Sequence, residues 1–395
     1  MKYKVMLPTV LALVSQSTSL VAAEYILGAS FSPTFSYNDN ELLNDEEEGS
    51  FKTEISPTLI LTRATETSSL SFRSGLRVER YTELKDLDRE DPFANFSSSW
   101  NTERSVYGFS AGYSERAQRS IADEDTGNFS SNATVETITV SPTYSYQLTE
   151  KDSIYGSYNY SDRTYSDADS IDNPIGVNNF NDNTTHSLTG GWQHSITERL
   201  TGGLALTYAN YESSGVQKSE YDTYNFAVTS SYLLTEKWSL SGQVGYRTLE
   251  NEITPAVGPV LKDESSGSLF SFTSSYEGEI NSVNFTLGRS LNPSGEGVVN
   301  EQDKISLSWQ RNLSDTLSFN INTSYQETQT ADSINTTDRK YLQFSPSLAW
   351  QLEEDLTLRF GYQYREQKGS TVDAVDSNMV YLTIGYDWSG LRFSR

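Results

Sequence analysis

Thr143 to Asp162 reads TYSYQLTEKDSIYGSYNYSD: alternating residues, a four-residue polar turn, then alternation again. On the first arm Val140, Pro142, Tyr144, Tyr146 and Leu148 share one face, while Ser141, Thr143, Ser145 and Gln147 share the other. That is the period of two of a β-strand. Beyond Thr149 to Asp152 the pattern returns, with Ile154, Gly156, Tyr158 and Tyr160 on one face and Tyr155, Ser157, Asn159 and Ser161 on the other. The unit is a hairpin with one apolar and one mainly polar surface. It recurs as QHSITERLT (Gln193 to Thr201), YLLTEKWSL (Tyr232 to Leu240), WQRNLSDTL (Trp309 to Leu317) and WQLEEDLTL (Trp350 to Leu358).

Composition says what kind of solvent such hairpins face. The 395 residues include 25 Tyr and 17 Phe but no Cys, which excludes a disulfide scaffold, a thiol enzyme and a thiolate metal site. Nowhere does an apolar run approach the roughly eighteen residues of a membrane helix. An aromatic, polar, acidic chain fits a transmembrane barrel, whose strands need an apolar residue only at every second position. The first 23 residues have the form of a secretory signal peptide: Lys2 and Lys4, an apolar run from Val5 to Val14, and the small-residue site Val21-Ala22-Ala23. The expected division is therefore 1–23 signal peptide and 24–395 barrel. Without Lys2 and Lys4, 27 basic residues stand against 53 acidic ones, a balance that opposes nucleic-acid binding.

Counting segments in order predicts an all-β fold, a transmembrane antiparallel β-barrel of about eighteen strands. Tight turns near Ala64, Asn101, Thr149, Thr197, Thr235, Gly278, Ser314 and Glu353 alternate with longer polar connections, the longest expected at Thr164 to Asn183 and Glu250 to Gly267. Short turns on one side and long loops on the other are the habit of outer-membrane barrels. Pro33, Pro57, Pro142 and Pro346 fall inside the strands, where a missing N–H predicts local bulges.

Parity then assigns the faces. Leu70, Phe72, Leu76 and Val78, with Trp238, Leu240, Val244 and Tyr246, and with Leu356, Leu358, Phe360, Tyr362 and Tyr364, are expected toward lipid. On the opposite, lumen-lining parity lie Arg73, Arg77, Arg116, Arg163, Arg247, Arg359 and Arg365. Rings of basic side chains favour anionic solutes. Equally, these arginines could brace the wall by pairing with inward carboxylates such as Glu79 and Asp387.

No catalytic, cofactor or metal residue is predicted. His186 and His194 are eight residues apart on one strand, roughly 26 Å at the usual rise, too far to share a metal or a proton. The acidic runs Asp45 to Glu48, Asp88 to Pro92 and Asp167 to Asp172 lack the spaced glycine and terminal Glu of a dedicated calcium loop and are expected to be solvated.

The hairpins SYQLTEKDS and SYLLTEKWSLSGQVGYR, the stretch Leu287 to Ile321 with its SLNPSGEG segment, and the ending DSNMVYLTIGYDW (Asp376 to Trp388) resemble a family of Gram-negative outer-membrane barrels that accompany exopolysaccharide biosynthesis and export systems. The resemblance implies an outer-membrane conduit that passes an exopolysaccharide to the surface and is not an enzyme. Its implied partners are membrane lipid and lipopolysaccharide, the barrel assembly machinery, and a periplasmic polysaccharide-export protein. A general or sugar-selective diffusion porin, and a non-transporting surface barrel, are the alternatives. Barrels of this class finish on an aromatic residue, whereas SGLRFSR follows Trp388 here, leaving Trp388 and Phe393 as the two candidates for the terminal signal.

Overall fold

In a computed structural model the chain is described over residues 23–166, 180–215, 218–255, 258–332, 338–369 and 373–394. Residues 1–22 of the expected 1–23 signal peptide and the acidic run Asp167 to Asp172 lie outside the described residues. Eighteen strands follow one another: β1 (Glu24–Asn38), β2 (Ser50–Ala64), β3 (Ser68–Tyr81), β4 (Arg89–Asn101), β5 (Ser105–Ala117), β6 (Thr134–Gln147), β7 (Asp152–Ser166), β8 (Asp182–Ser195) and β9 (Leu200–Ser214) form the first half. The second half is β10 (Lys218–Thr235), β11 (Trp238–Thr254), β12 (Leu261–Glu277), β13 (Asn281–Pro293), β14 (Val299–Asn312), β15 (Leu317–Thr330), β16 (Asp338–Glu353), β17 (Leu356–Gly369) and β18 (Val375–Ser394). Each strand pairs antiparallel with its neighbours, and β1 pairs with β18, so the sheet closes on itself and leaves no edge.

The tight turns owe their shape to a hydroxyl. Thr65, Thr102, Thr149, Thr197 and Ser314 each accept, through Oγ, the backbone N–H three residues on, at 2.9–3.1 Å. At Thr149 and Ser314 this is the physical content of the LTE and LSD motifs, a side chain standing in for a backbone turn bond, whereas in the LTE at Thr235 the hydroxyl accepts from the Lys237 N–H, two residues on, at 3.3 Å.

Residues directly opposite in a ladder point to the same side of a sheet, so one inward residue fixes the parity of its neighbours. Val140, Tyr144, Tyr158, Val244 and Phe360 point outward, and Val244 (68 % exposed) and Phe360 (57 %) are as bare as a lipid-facing side chain should be. Replacing Val244 with Arg is expected to cost about 2–4 kcal/mol of barrel stability in lipid, against little for the inward Gln243→Arg. Unfolding in urea from lipid vesicles measures both, and equal losses would reverse the assigned faces.

On the inward face two rings lie flat against the wall: a side chain at Gly191 would meet the Tyr155 ring, and one at Gly361 the Tyr381 ring. These glycines give bulky tyrosines somewhere to lie other than across the lumen.

Several expectations change. The four prolines do not make bulges. At each, the ladder to one neighbour is skipped over two residues with the register unchanged, as between Ile55↔Val78 and Thr58↔Gly75 at Pro57, and between Val140↔Tyr160 and Thr143↔Ser157 at Pro142. Pro33 interrupts only the β1–β18 ladder and Pro346 only β16–β17. In an antiparallel pair a residue's N–H and C=O point to the same neighbour, so proline forfeits bonds on one side and keeps the other ladder intact. The register shifts occur elsewhere, at Leu27/Ala29, Leu233/Thr235 and Gln351/Glu353.

The expected loop Glu250 to Gly267 is also mostly strand, because β11 runs to Thr254 and β12 starts at Leu261. Both faces are wet there, so polar residues do not disqualify a strand. Likewise Arg89 to Pro92 belong to β4. Finally, β18 continues beyond Trp388 to Ser394: Gly390 adopts φ +85, and Phe393 pairs with Tyr25. Phe393 rather than Trp388 therefore sits at the strand end.

Two ladders stop short of the long-loop end, β4–β5 at Phe93↔Ser114 and, over a longer stretch, β12–β13. β12 and β13 pair only from Glu277↔Ser282 to Phe270↔Arg289, and above that point the β13–β14 hairpin leaves the wall. Its Leu291 and Val299, outward by parity, pack on Tyr211, Tyr221 and Leu249, which point inward from β9, β10 and β11. The hairpin top is therefore folded into the lumen, held by Arg247 of β11 donating to Glu301 of β14 at 2.7 Å. Apart from Ala23, every buried hydrophobic residue of the described chain lies at this long-loop end.

Candidate functional site: the closed mouth

The connection 118–133 between β5 and β6 is a loop that the sequence gives no reason to bury, except that Ile121, Ala122, Phe129 and Ala133 interrupt its polar residues. It folds inward. Ala122 and Phe129 pack with Leu43 from the β1–β2 connection and with Tyr341 of β16, Phe129 stacking on Tyr341 at 5.5 Å between centroids. Leu42, in that same connection, packs with Tyr81 and Leu87.

Polar tethers fix the loop from several sides. Arg119 donates to Glu79 Oε2 (3.3 Å) on β3 and to the Leu87 carbonyl (3.2 Å). Asp125, only 1 % exposed, accepts from the Tyr165 hydroxyl of β7 at 2.8 Å and from the Gly295 N–H at 2.6 Å. Arg339 of β16 donates to the Asp123 and Asp125 carbonyls, both at 3.3 Å, and Gln367 of β17 donates to the Gly127 carbonyl at 3.0 Å. β7 and β16 are nine places apart in a ring of eighteen, which makes them opposite walls. The loop thus bridges the diameter of the barrel. Gly295 belongs to the tip of the infolded β13–β14 hairpin, whose Ser294 carbonyl also accepts from the Tyr211 hydroxyl at 2.8 Å. Loop and hairpin meet at Asp125.

Burial sets the charge state of the loops. It pushes the Asp123 carboxyl above its ordinary range, with the Glu124 charge adding to the effect. Glu296 is raised in the same way, against the pull of Arg339. Glu41 is different: burial alone would raise it, but Lys52, Arg365 and the Tyr81 hydroxyl together hold it below its ordinary value. As pH falls from neutral toward the ordinary carboxylate range, Asp123 and Glu296 take up protons more readily in the docked loops than in released ones, so docking is favoured in acid and loses that advantage as pH rises through their raised values. Glu41 weakens docking only below its ordinary range. Single-channel recordings should therefore show less open time at mildly acidic pH than at neutral pH, and Asp123→Asn with Glu296→Gln should flatten that dependence. An unaltered pH response in the double variant would remove these two groups from the explanation.

All seven arginines singled out from sequence lie on the inward face by register, and they divide into two sets. Arg247 (3 % exposed) pairs with Glu301, Arg77 pairs with Glu54 at 3.3 Å, and Arg365 donates to Ser377 Oγ at 3.2 Å while lying over the Phe129 ring at 5.8 Å. These three brace the wall and the loops. Arg73, Arg116, Arg163 and Arg359 have no ion pair or hydrogen bond among the described residues; Arg116 and Arg163 face each other's neighbourhood below the loop, whereas Arg73 and Arg359 stand apart. Asp387, considered as a brace, pairs in register with Ser30. Of the acidic runs, Asp91 of β4 is held by Arg89 at 2.7 Å. His186 and His194 are separate, as their spacing requires: His186 meets the Tyr158 hydroxyl and His194 meets Asp152. The residues that sequence reasoning missed are Arg119, Asp125 and Arg339.

Residues 34–387 match the MtrB/PioB outer membrane beta-barrel porin family. Among solved structures the chain is similar to OccAB4 of Acinetobacter baumannii (9 % identity, 94 % of this chain and 98 % of that one, TM-score 0.47) and to OccK5 (OpdH) of Pseudomonas aeruginosa (10 %, 92 % and 98 %, TM-score 0.44). It is also similar to a BenF-like porin from Pseudomonas fluorescens Pf-5 (9 %, 93 % and 99 %, TM-score 0.46). Likeness at that level identifies neither a solute nor a role. No curated protein matches the chain in sequence.

Proposed function

Because the chain belongs to the MtrB/PioB family of outer-membrane β-barrel porins, we propose that it is a diffusion porin for small solutes whose long-loop mouth opens when the 118–133 loop releases. The observation that carries this reading is the loop's attachment to opposite walls, at Tyr165 on one side and Arg339 on the other. A lumen face of serine, asparagine, glutamine and unpaired arginine suits hydrated solutes. The loop suits control of their passage, because it is held by a small apolar cluster and a few hydrogen bonds and ion pairs rather than by a continuous ladder.

The exopolysaccharide conduit implied by resemblance is the weaker proposal. A polymer in transit needs an uninterrupted bore, and here two segments cross it. Nothing about the bridged mouth favours a chain over a single solute.

Deleting the gene distinguishes the two. Slower uptake of small hydrophilic solutes with normal surface polysaccharide supports the porin. Loss of surface polysaccharide with unchanged small-solute uptake overturns it in favour of the conduit.

A further inference from the structure

Below the docked loop lies a cavity of about 450 Å³, lined from one wall by Arg116, Thr137 and Arg163 and from the infolded hairpin by Ser290, Asn292 and Gln302. Its size falls in the range of small-molecule sites, roughly 300–1,000 Å³. The register explains how the two guanidiniums come together: Arg116 pairs across with Val135 and Arg163 with Thr137, so the arginines are two strands and two residues apart, about 10 Å by 7 Å, within reach of a shared ligand. Neither has a hydrogen-bond or ion-pair partner among the described residues, although three carboxylates are close, of which Asp91 is held by Arg89 at 2.7 Å. Asp125 already has Tyr165 and Gly295, and Glu124 is engaged by Lys304 at 3.3 Å.

Opposite the arginines, Asn292 donates to Gln302 Oε1 at 3.0 Å. That bond fixes the orientation of the Gln302 amide and leaves its Nε2, in a side chain 4 % exposed, buried without an acceptor. A buried N–H without an acceptor is costly, on the order of 1–3 kcal/mol. Two guanidiniums thus face one cavity with no acceptor of their own, and the Gln302 side chain borders it. The ceiling has the opposite character, since Glu124 and Asp125 close the cavity from above.

We propose that this cavity binds a small hydroxylated organic anion of the acid-sugar class. The carboxylate is held by Arg116 and Arg163, and the hydroxyls are turned toward Glu124, Ser290 and Thr137. Charge-assisted bonds to a planar carboxylate suit paired guanidiniums. The acidic ceiling selects a ligand whose other end donates hydrogen bonds over one that is anionic throughout. The site rests on the porin reading only for its role in passage; its occupancy does not require conduction.

Isothermal titration of the full-length protein in detergent with galacturonate, galactose and inorganic phosphate tests this directly. Saturable binding of galacturonate, well above galactose or phosphate, is expected. Arg116→Gln with Arg163→Gln should weaken it by roughly tenfold or more, the loss of at least one charge-assisted hydrogen bond. Arg163→Gln alone, which keeps one guanidinium, should weaken it less and serves if the double variant fails to fold. Equal affinity for all three probes, no binding by the wild type, or unchanged binding in the folded variants would overturn the proposal. A protein that conducts but does not bind galacturonate loses the site and keeps the porin reading, whereas one that binds but never conducts does the reverse.

Discussion

Asp125→Ala is expected to release the mouth and raise single-channel conductance several-fold. The side chain takes two hydrogen bonds, from Tyr165 and Gly295, and both are lost together. Bonds to a charged acceptor are worth roughly 1.5–3 kcal/mol each, so the ratio of docked to released loop should fall by about two to four powers of ten. The barrel wall does not depend on this residue, so resistance to heat in detergent should persist. Asp125→Asn keeps an acceptor and loses the charge, and should fall between wild type and alanine. A conductance indistinguishable from wild type in a folded Asp125→Ala protein would mean that the loop is not held at this point.

The second large effect is on stability. Glu301→Ala leaves the Arg247 guanidinium, whose side chain is 4 % exposed, facing no carboxylate. Breaking a buried pair by removing one partner costs roughly 3–5 kcal/mol. Arg289, which also pairs with Glu301 at 3.0 Å, keeps Asp303 at 2.6 Å, so the loss falls mainly on the contact between the hairpin and the wall. The expected readouts are a lower temperature of mobility change on detergent gels and protease cleavage between residues 294 and 298. Arg247→Met combined with Glu301→Leu should recover most of the loss, since an apolar pair of similar volume removes the desolvation cost. If the single variant matches wild type in both assays, the pair does not hold the hairpin.

The wall was legible in the sequence and the mouth was not, for different physical reasons. A strand pair repeats one constraint, apolar outward at every second position, and a turn repeats another, a hydroxyl three residues before the returning N–H. β3, at Ser68–Tyr81, has the limits that alternation predicts. The proline interruptions could not be told from bulges because both begin with the same missing N–H, and only the neighbouring ladder distinguishes them. The inward arginines followed from parity, but whether each is braced depends on which carboxylate the fold brings near. Glu301 reaches Arg247 only because β13 and β14 leave the wall, so alternation alone places it on the wrong side. A signal for the mouth did exist. Leu42 and Leu43 among the acids of the β1–β2 connection, and Ala122 and Phe129 in the β5–β6 connection, are apolar residues in loops that would otherwise face water. Such residues ask for a core, and in a barrel with a polar lumen the one available lies at its mouth.

The most direct test of the account is conductance in planar lipid bilayers after residues 120–131 are replaced by a short glycine-serine link. The prediction is a wild-type channel that is mostly closed and a deletion variant that is steadily open at several times the conductance, with matching heat resistance. Equal conductance in the two proteins, or a variant as closed as the wild type, would contradict the claim that this loop closes the barrel.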